Sequence, residues 1–270
     1  MRIRLNTLIG GALIALLAGT AVTAAFWTPF DPLRTSLRER LKPPSALHWL
    51  GTDEFGRDVL SRIMAGATTS VIVALITVIL AVTVGVVVGG ISGYRRGWTD
   101  RIIMAFTDAL LAFPGILLAL GVMIVVGASR FGIVLALGLA YMPSVARVVR
   151  GTVLSIRERE YIEASRVMGN SELHTLARHV LPNAIAPVAV LATSMFGWVL
   201  LAESALSFLG LGVPPPAPTW GNMLAASRSY MENASWLGIA PGLCIALTLL
   251  GINLLGDALR DRLDPRMAQT

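Results

Sequence analysis

An all-α polytopic membrane protein is the fold the sequence predicts, and three observations predict it. Hydrophobic residues fill 55% of the 270 positions and charged residues only 14%, where ordinary soluble domains carry about 25% charge. Mean hydropathy is +0.71. The apolar residues also fall in long blocks separated by short arginine-bearing stretches, and about 20 apolar residues in a row let a helix cross about 30 Å of hydrocarbon. Too little charge remains to cover a water-soluble globule. A soluble enzyme, a disordered chain and a nucleic-acid-binding domain are excluded as starting points. Membrane lipids, and no nucleic acid, are the surroundings to expect.

Six transmembrane helices are expected. The first runs from about Leu5 to Trp27, and the second lies between Arg62 and Arg95, centred on Thr68–Ile91. The third starts near Ile102 and ends before Arg130. The fourth is short, about Phe131–Val149, and carries Pro143. The fifth runs from about Ala184 to Leu209, and the sixth lies between Glu232 and Asp257. The chain divides accordingly into an N-terminal anchor (1–27), an extracytoplasmic segment (28–67) and a transmembrane domain (68–270). A short surface helix is expected near Arg57–Arg62, and Val213–Pro218 reads as stiff and extended. Arg2 and Arg4, the apolar run and Ala21, Ala24 and Ala25 also resemble a signal peptide, but the run is long for one, and an uncleaved anchor is expected.

Basic residues set the orientation. With the N-terminus inside, 14 of the 22 Lys and Arg fall on the cytoplasmic side and eight outside, which favours N-in and C-in. Trp27, Trp98, Trp220 and Trp236 fall near expected span ends, as interfacial anchors would.

No enzyme motif is present. The sole lysine, Lys42, precedes Pro43, so a standard phosphate-binding loop is ruled out. His48, His174 and His179 begin no zinc-protease motif, and Cys244 is alone, so no disulfide or thiolate metal site forms within the chain. Two ionisable residues fall inside spans, where they are functional suspects. Asp108 lies about two turns into the third span, and Glu203 lies late in the fifth, near the outer surface. A proton or substrate relay is one reading; hydrogen bonds to Ser, Thr or Asn of neighbouring helices is the favoured one.

The long inner loop, 150–183, carries the strongest pattern. A helix before Gly169 would place Tyr161, Ala164, Ser165 and Met168 at its apolar positions, and Gly169 would end it in a left-handed conformation. Asn170 or Ser171 would cap a second short helix with Leu173, Leu176, Ala177 and Val180 on one stripe, before Pro182. Such a loop either lies on the membrane surface or docks into a partner's groove.

At this loop the sequence resembles the permeases of ABC importers. Their signature is Glu-Ala-Ala, three residues, Gly, nine residues, Ile, one residue, Leu-Pro. Here it reads Glu163-Ala164-Ser165, Gly169 and Leu181-Pro182 at that spacing, with Ser165 for the second Ala and His179 for Ile. The Arg178–Asn183 run, His48–Asp53 with Gly56–Arg62, Leu111–Pro114, Leu206–Gly212 and Asn253–Asp261 look like the second, C-type subunit of the dipeptide/oligopeptide/nickel branch.

The resemblance implies a type I, MetI-like fold in a bacterial or archaeal cytoplasmic membrane. It implies a homologous second permease subunit, two ATPase subunits and an extracytoplasmic substrate-binding protein. Tyr161, Glu163, Ala164, Ser165, Met168, Gly169, His179, Leu181 and Pro182 would form the ATPase-coupling loop. This chain would be non-catalytic and hold no cofactor; ATP and Mg would bind the ATPases. Peptides are the implied substrate, with glutathione-type peptides or nickel chelates as alternatives. An ion-coupled secondary carrier is the reading from another class.

Overall fold

The computed structural model describes residues 5–263, and among them every regular element is helical. α1 (Leu5–Phe26) is the first apolar run. It lies against the last helix, where Gly10 and Gly251 let the backbones close in: a Cβ on Gly10 would sit 2.8 Å from Leu254 Cβ. Thr68 Oγ1 also donates to Ala21 O at 2.7 Å, tying α1 to the next span.

Residues 28–58 form an irregular cap whose only helical turn is Leu37–Glu39. Charges of both signs pair within it. Arg57 Nε donates to Asp53 Oδ2 at 2.6 Å, Arg62 Nε lies 3.3 Å from the same oxygen, and buried His48 holds Asp58 through Nδ1 at 2.9 Å.

Asp58 is also the N-cap of α2 (Val59–Arg95), accepting from Ser61 N at 2.8 Å. α2 has 37 residues, about 55 Å, and outruns the hydrocarbon. The surface helix expected near Arg57–Arg62 is therefore the first turn of this span rather than a separate element. α2 ends where Arg96 and Gly97 both take positive φ.

The central seam is α2 against α5 (Arg130–Ile156). Gly85, Gly89 and Gly93 recur every fourth residue on the facing side of α2, and a Cβ on Gly89 would fall 2.3 Å from Ala146 O. Small residues at this period let two membrane helices approach to backbone contact. α5 extends beyond the expected 131–149: with Pro143 inside it, the helix continues to Ile156.

The third span departs further from expectation. It is two helices, α3 (Gly97–Leu111) and α4 (Gly115–Val126), bent by 93°. Pro114 lacks an N–H and drives the preceding residue out of the helical region, so the break falls at residues 112–114. α4 has 12 residues, about 18 Å, and α3 crosses the arginine-rich end of α2 and α5.

Two short helices, α6 (Glu160–Val167) and α7 (Glu172–Thr175), precede α8 (Leu181–Phe208). α9 (Trp220–Ser227) and α10 (Trp236–Leu263) complete the chain. The Val213–Pro218 segment turns instead of extending, with a cis Pro215–Pro216 peptide. Trp220 is not an interfacial anchor. It is 2% exposed, plugged between α2 and α8, and its Nε1 donates to Ile63 O at 3.1 Å. A capping box between Thr219 and Asn222 sets its angle of entry. Trp236 Nε1 donates to Thr52 O at 3.4 Å, so the cap, α9 and the start of α10 gather at one end of the bundle. Arg96, Arg150 and Arg157 gather at the other.

Candidate functional site

The 150–183 loop projects from the arginine-rich end. α5 stops at Ile156 and the chain turns through residues 157–159, with Ile162 N donating to Arg159 O at 2.9 Å. Glu160 and Glu163 stand in the first turn of α6, where carboxylates complement the positive helix end. Ile162 and Ser165 are buried beneath the helix; Tyr161, Glu163, Ala164, Val167 and Met168 face outward and are exposed. Of the four apolar positions read from the sequence, Ser165 is buried and Tyr161, Ala164 and Met168 are exposed. The helix has barely two turns, and its rotation is set by Ile162 and by polar ties that periodicity does not register.

Ser165 makes those ties. Asn170 Nδ2 donates to Ser165 Oγ at 3.1 Å, and Thr175 Oγ1 on α7 lies 3.2 Å from the same oxygen. Gly169 ends α6 at φ +81° with open space around the missing Cβ, so glycine is needed there for its conformation alone. Asn170 N then donates to Ser165 O at 3.2 Å, the six-to-one bond that closes a helix on a left-handed glycine. Ser171 caps α7 by accepting from His174 N at 3.2 Å.

α7 does not stand apart as the expected second helix. A π-helical turn, Leu176–Val180, joins it to α8, so helix runs unbroken from Leu176 to Phe208. Pro182, exposed at the first turn of α8, cannot donate to the preceding turn. Asn183 Nδ2 instead donates to His179 O at 2.6 Å. Leu176 and Val180 are buried, while Ala177 is exposed and His179 and Leu181 are half-buried. Leu181 and Pro182 also edge an apolar cleft of about 480 Å³ between α2 and α8, with Val82, Val86, Ile185 and Val188.

The two ionisable suspects are far apart. Asp108 sits on α3, ahead of the bend, and accepts from Arg147 Nη2 of α5 at 2.6 Å with both side chains more than half exposed. Its partner is an arginine, not the hydroxyl or amide expected. Glu203 is fully buried where α2, α8 and α9 meet. Its Oε1 accepts from Ser207 Oγ at 2.8 Å, and the hydroxyls of Ser70, Ser204 and Thr219 line the same carboxyl.

Sequence reasoning missed Asp100, Arg150 and Arg157, which knit the loop's root to α2 and α3. The available signal was the spacing of Arg147, Arg150 and Arg157, three and seven residues apart on one helical face.

A bundle of this kind, with up to six spans and a helical knob between the fourth and fifth, is that of a multi-pass membrane protein. Residues 85–269 match the family described as binding-protein-dependent transport system inner membrane component. The chain belongs to this family, the permeases of ABC importers. It is 41% identical over 258 residues to a glutathione transport system permease protein of Pectobacterium atrosepticum, covering 95% of this chain and 86% of the relative. It is 40% identical over 260 residues to a dipeptide transport system permease protein of Alkalihalophilus pseudofirmus, covering 96% and 86%. Its fold is similar to a chain of the inward-facing MetNI methionine ABC transporter, with TM-score 0.62 and 18% identity over 75% of this chain and 96% of that one.

Proposed function

We propose that this chain is the translocating subunit of an ATP-driven importer of small peptides, glutathione-type peptides included, in a bacterial or archaeal cytoplasmic membrane. The observation that carries the reading is the α6 knob. It presents Tyr161, Val167 and Met168 to the outside of the fold, yet it follows α5 across residues 157–159 and leads through the Gly169 turn and α7 into α8. A force on the knob is thus delivered to two spans. An amphipathic helix with exposed apolar residues is suited to a groove in another protein, and ATPase subunits that bind ATP and Mg would supply that groove. The chain itself is non-catalytic in this reading. A homologous permease completes the path, and a substrate-binding protein meets the cap at 28–58. The relatives named for dipeptide and glutathione transport support the substrate class.

Copurification and uptake test this. The tagged chain, coexpressed with its neighbouring transport genes, should bring down ATPase subunits, and proteoliposomes of the complex should take up labelled dipeptide only with ATP. Glu163→Lys and Met168→Asp should each cut ATPase recovery about tenfold, a coupling of ordinary size. Full recovery and uptake in both variants would remove the role given to α6. Competition between dipeptide and glutathione for uptake identifies the substrate.

A further inference from the structure

The root of the coupling loop is held by an ionic fork that the proposed role of α6 does not itself require. Arg150 on α5 donates from Nε to Asp100 Oδ1 and from Nη2 to Asp100 Oδ2, both at 2.6 Å. Ser92 Oγ, near the end of α2, donates to the same Oδ1. The Asp100 side chain is 14% exposed. A two-bond arginine–carboxylate fork fixes direction as well as distance, which a single ion pair does not.

Two further contacts lie close by. Arg157 Nη1 donates to Tyr94 O at the C-terminal end of α2, with its guanidinium 5.6 Å from the Tyr94 ring centroid. Glu158 accepts from Arg96 Nη2. Beneath them Gly93 lets the helices touch: a Cβ there would lie 2.9 Å from Arg150 O. Residues 150, 157 and 158 therefore fasten the last turns of α5, and the first residues of the loop, to the α2–α3 junction. The Arg150–Asp100 fork is better shielded than the Arg96–Glu158 pair, which is about half exposed, and exposed pairs contribute little.

We propose that Asp100 and Arg150 are positioning residues for transport, making α2, α3 and α5 move as one body when α6 is displaced. Without the fork, displacement of the loop is absorbed by bending at residues 157–159, and motor motion reaches the path incompletely. The inference rests on the reading of α6 as the coupling knob.

The test uses the whole transporter in proteoliposomes, with ATP hydrolysis and peptide uptake measured on the same preparation. In Asp100→Ala, uptake should fall about tenfold while hydrolysis stays within about twofold of wild type, so the ATP spent per peptide rises. Arg150→Ala should do the same. The double variant should be no worse than either single, because both remove one interaction. Arg150→Lys keeps the charge, loses the fork and should give an intermediate ratio; it decides the matter if the alanine variants do not assemble. An unchanged ratio in Arg150→Lys and the alanine variants that assemble overturns the proposal, as does a parallel fall of hydrolysis and uptake. If wild type shows no ATP-driven uptake, the reading of α6 fails instead.

Discussion

Gly89 and Gly11 are both helical glycines, and they predict opposite responses to one added methyl group. A Cβ at Gly89 meets Ala146 O at 2.3 Å, whereas at Gly11 it meets nothing within 4 Å. Gly89→Ala should cost about 1–3 kcal/mol by forcing α2 from α5, and Gly11→Ala should leave the thermal midpoint of the purified chain unchanged or raised. A fall in Gly11→Ala equal to that in Gly89→Ala would refute the seam. Glu203 offers a second contrast. Glu203→Gln preserves shape and hydrogen-bonding capacity and should be tolerated. Glu203→Lys puts an unpaired cation among buried hydroxyls and should cost about 3–5 kcal/mol, read as loss of the folded peak in detergent chromatography. The carboxyl was legible in the sequence as an acid within an apolar run. The hydroxyls around it were not, because Ser70 and Thr219 arrive from elements far along the chain.

At the scale of elements, the α6–α7 turn depends on Gly169 and Ser165 for different reasons. Gly169→Ala forces a side chain into φ +81° and should destabilise the loop by about 1 kcal/mol; Gly169→Asn should cost less, since asparagine visits that region more readily. Ser165→Ala removes the link to Thr175 and Asn170 and should cost about 1 kcal/mol. Hydrogen–deuterium exchange over residues 160–175 measures all three, and equal exchange in wild type and Gly169→Ala would contradict the conformational argument. The glycine stop and a serine or asparagine cap could be read from the sequence because they are local. The rotation of α6 could not, since two turns carry too little periodicity to choose a face. The break at Pro114 was likewise masked by the apolar residues on both sides of it, 109–126.

For the whole molecule, the geometry predicts which residues meet which solvent. Cys244 is the only cysteine, so Cys244→Ala gives a clean background for labelling. In intact cells Leu47→Cys, on the cap, should react with an impermeant maleimide, while Ser171→Cys should react only after the membrane is opened. The reverse pattern would invert the topology and place the α6 knob where no ATPase could reach it. By itself the sequence determined the class of fold and the family, because each follows from composition, run length and short ordered motifs. The tertiary structure alone decided that Trp220 is a core plug, that the third span is bent, that α7 runs into α8, and that Arg150 grips Asp100. The Trp220 plug and the Arg150–Asp100 grip depend on residues 157 and 50 positions apart meeting in space, and no local pattern encodes where a distant helix will lie.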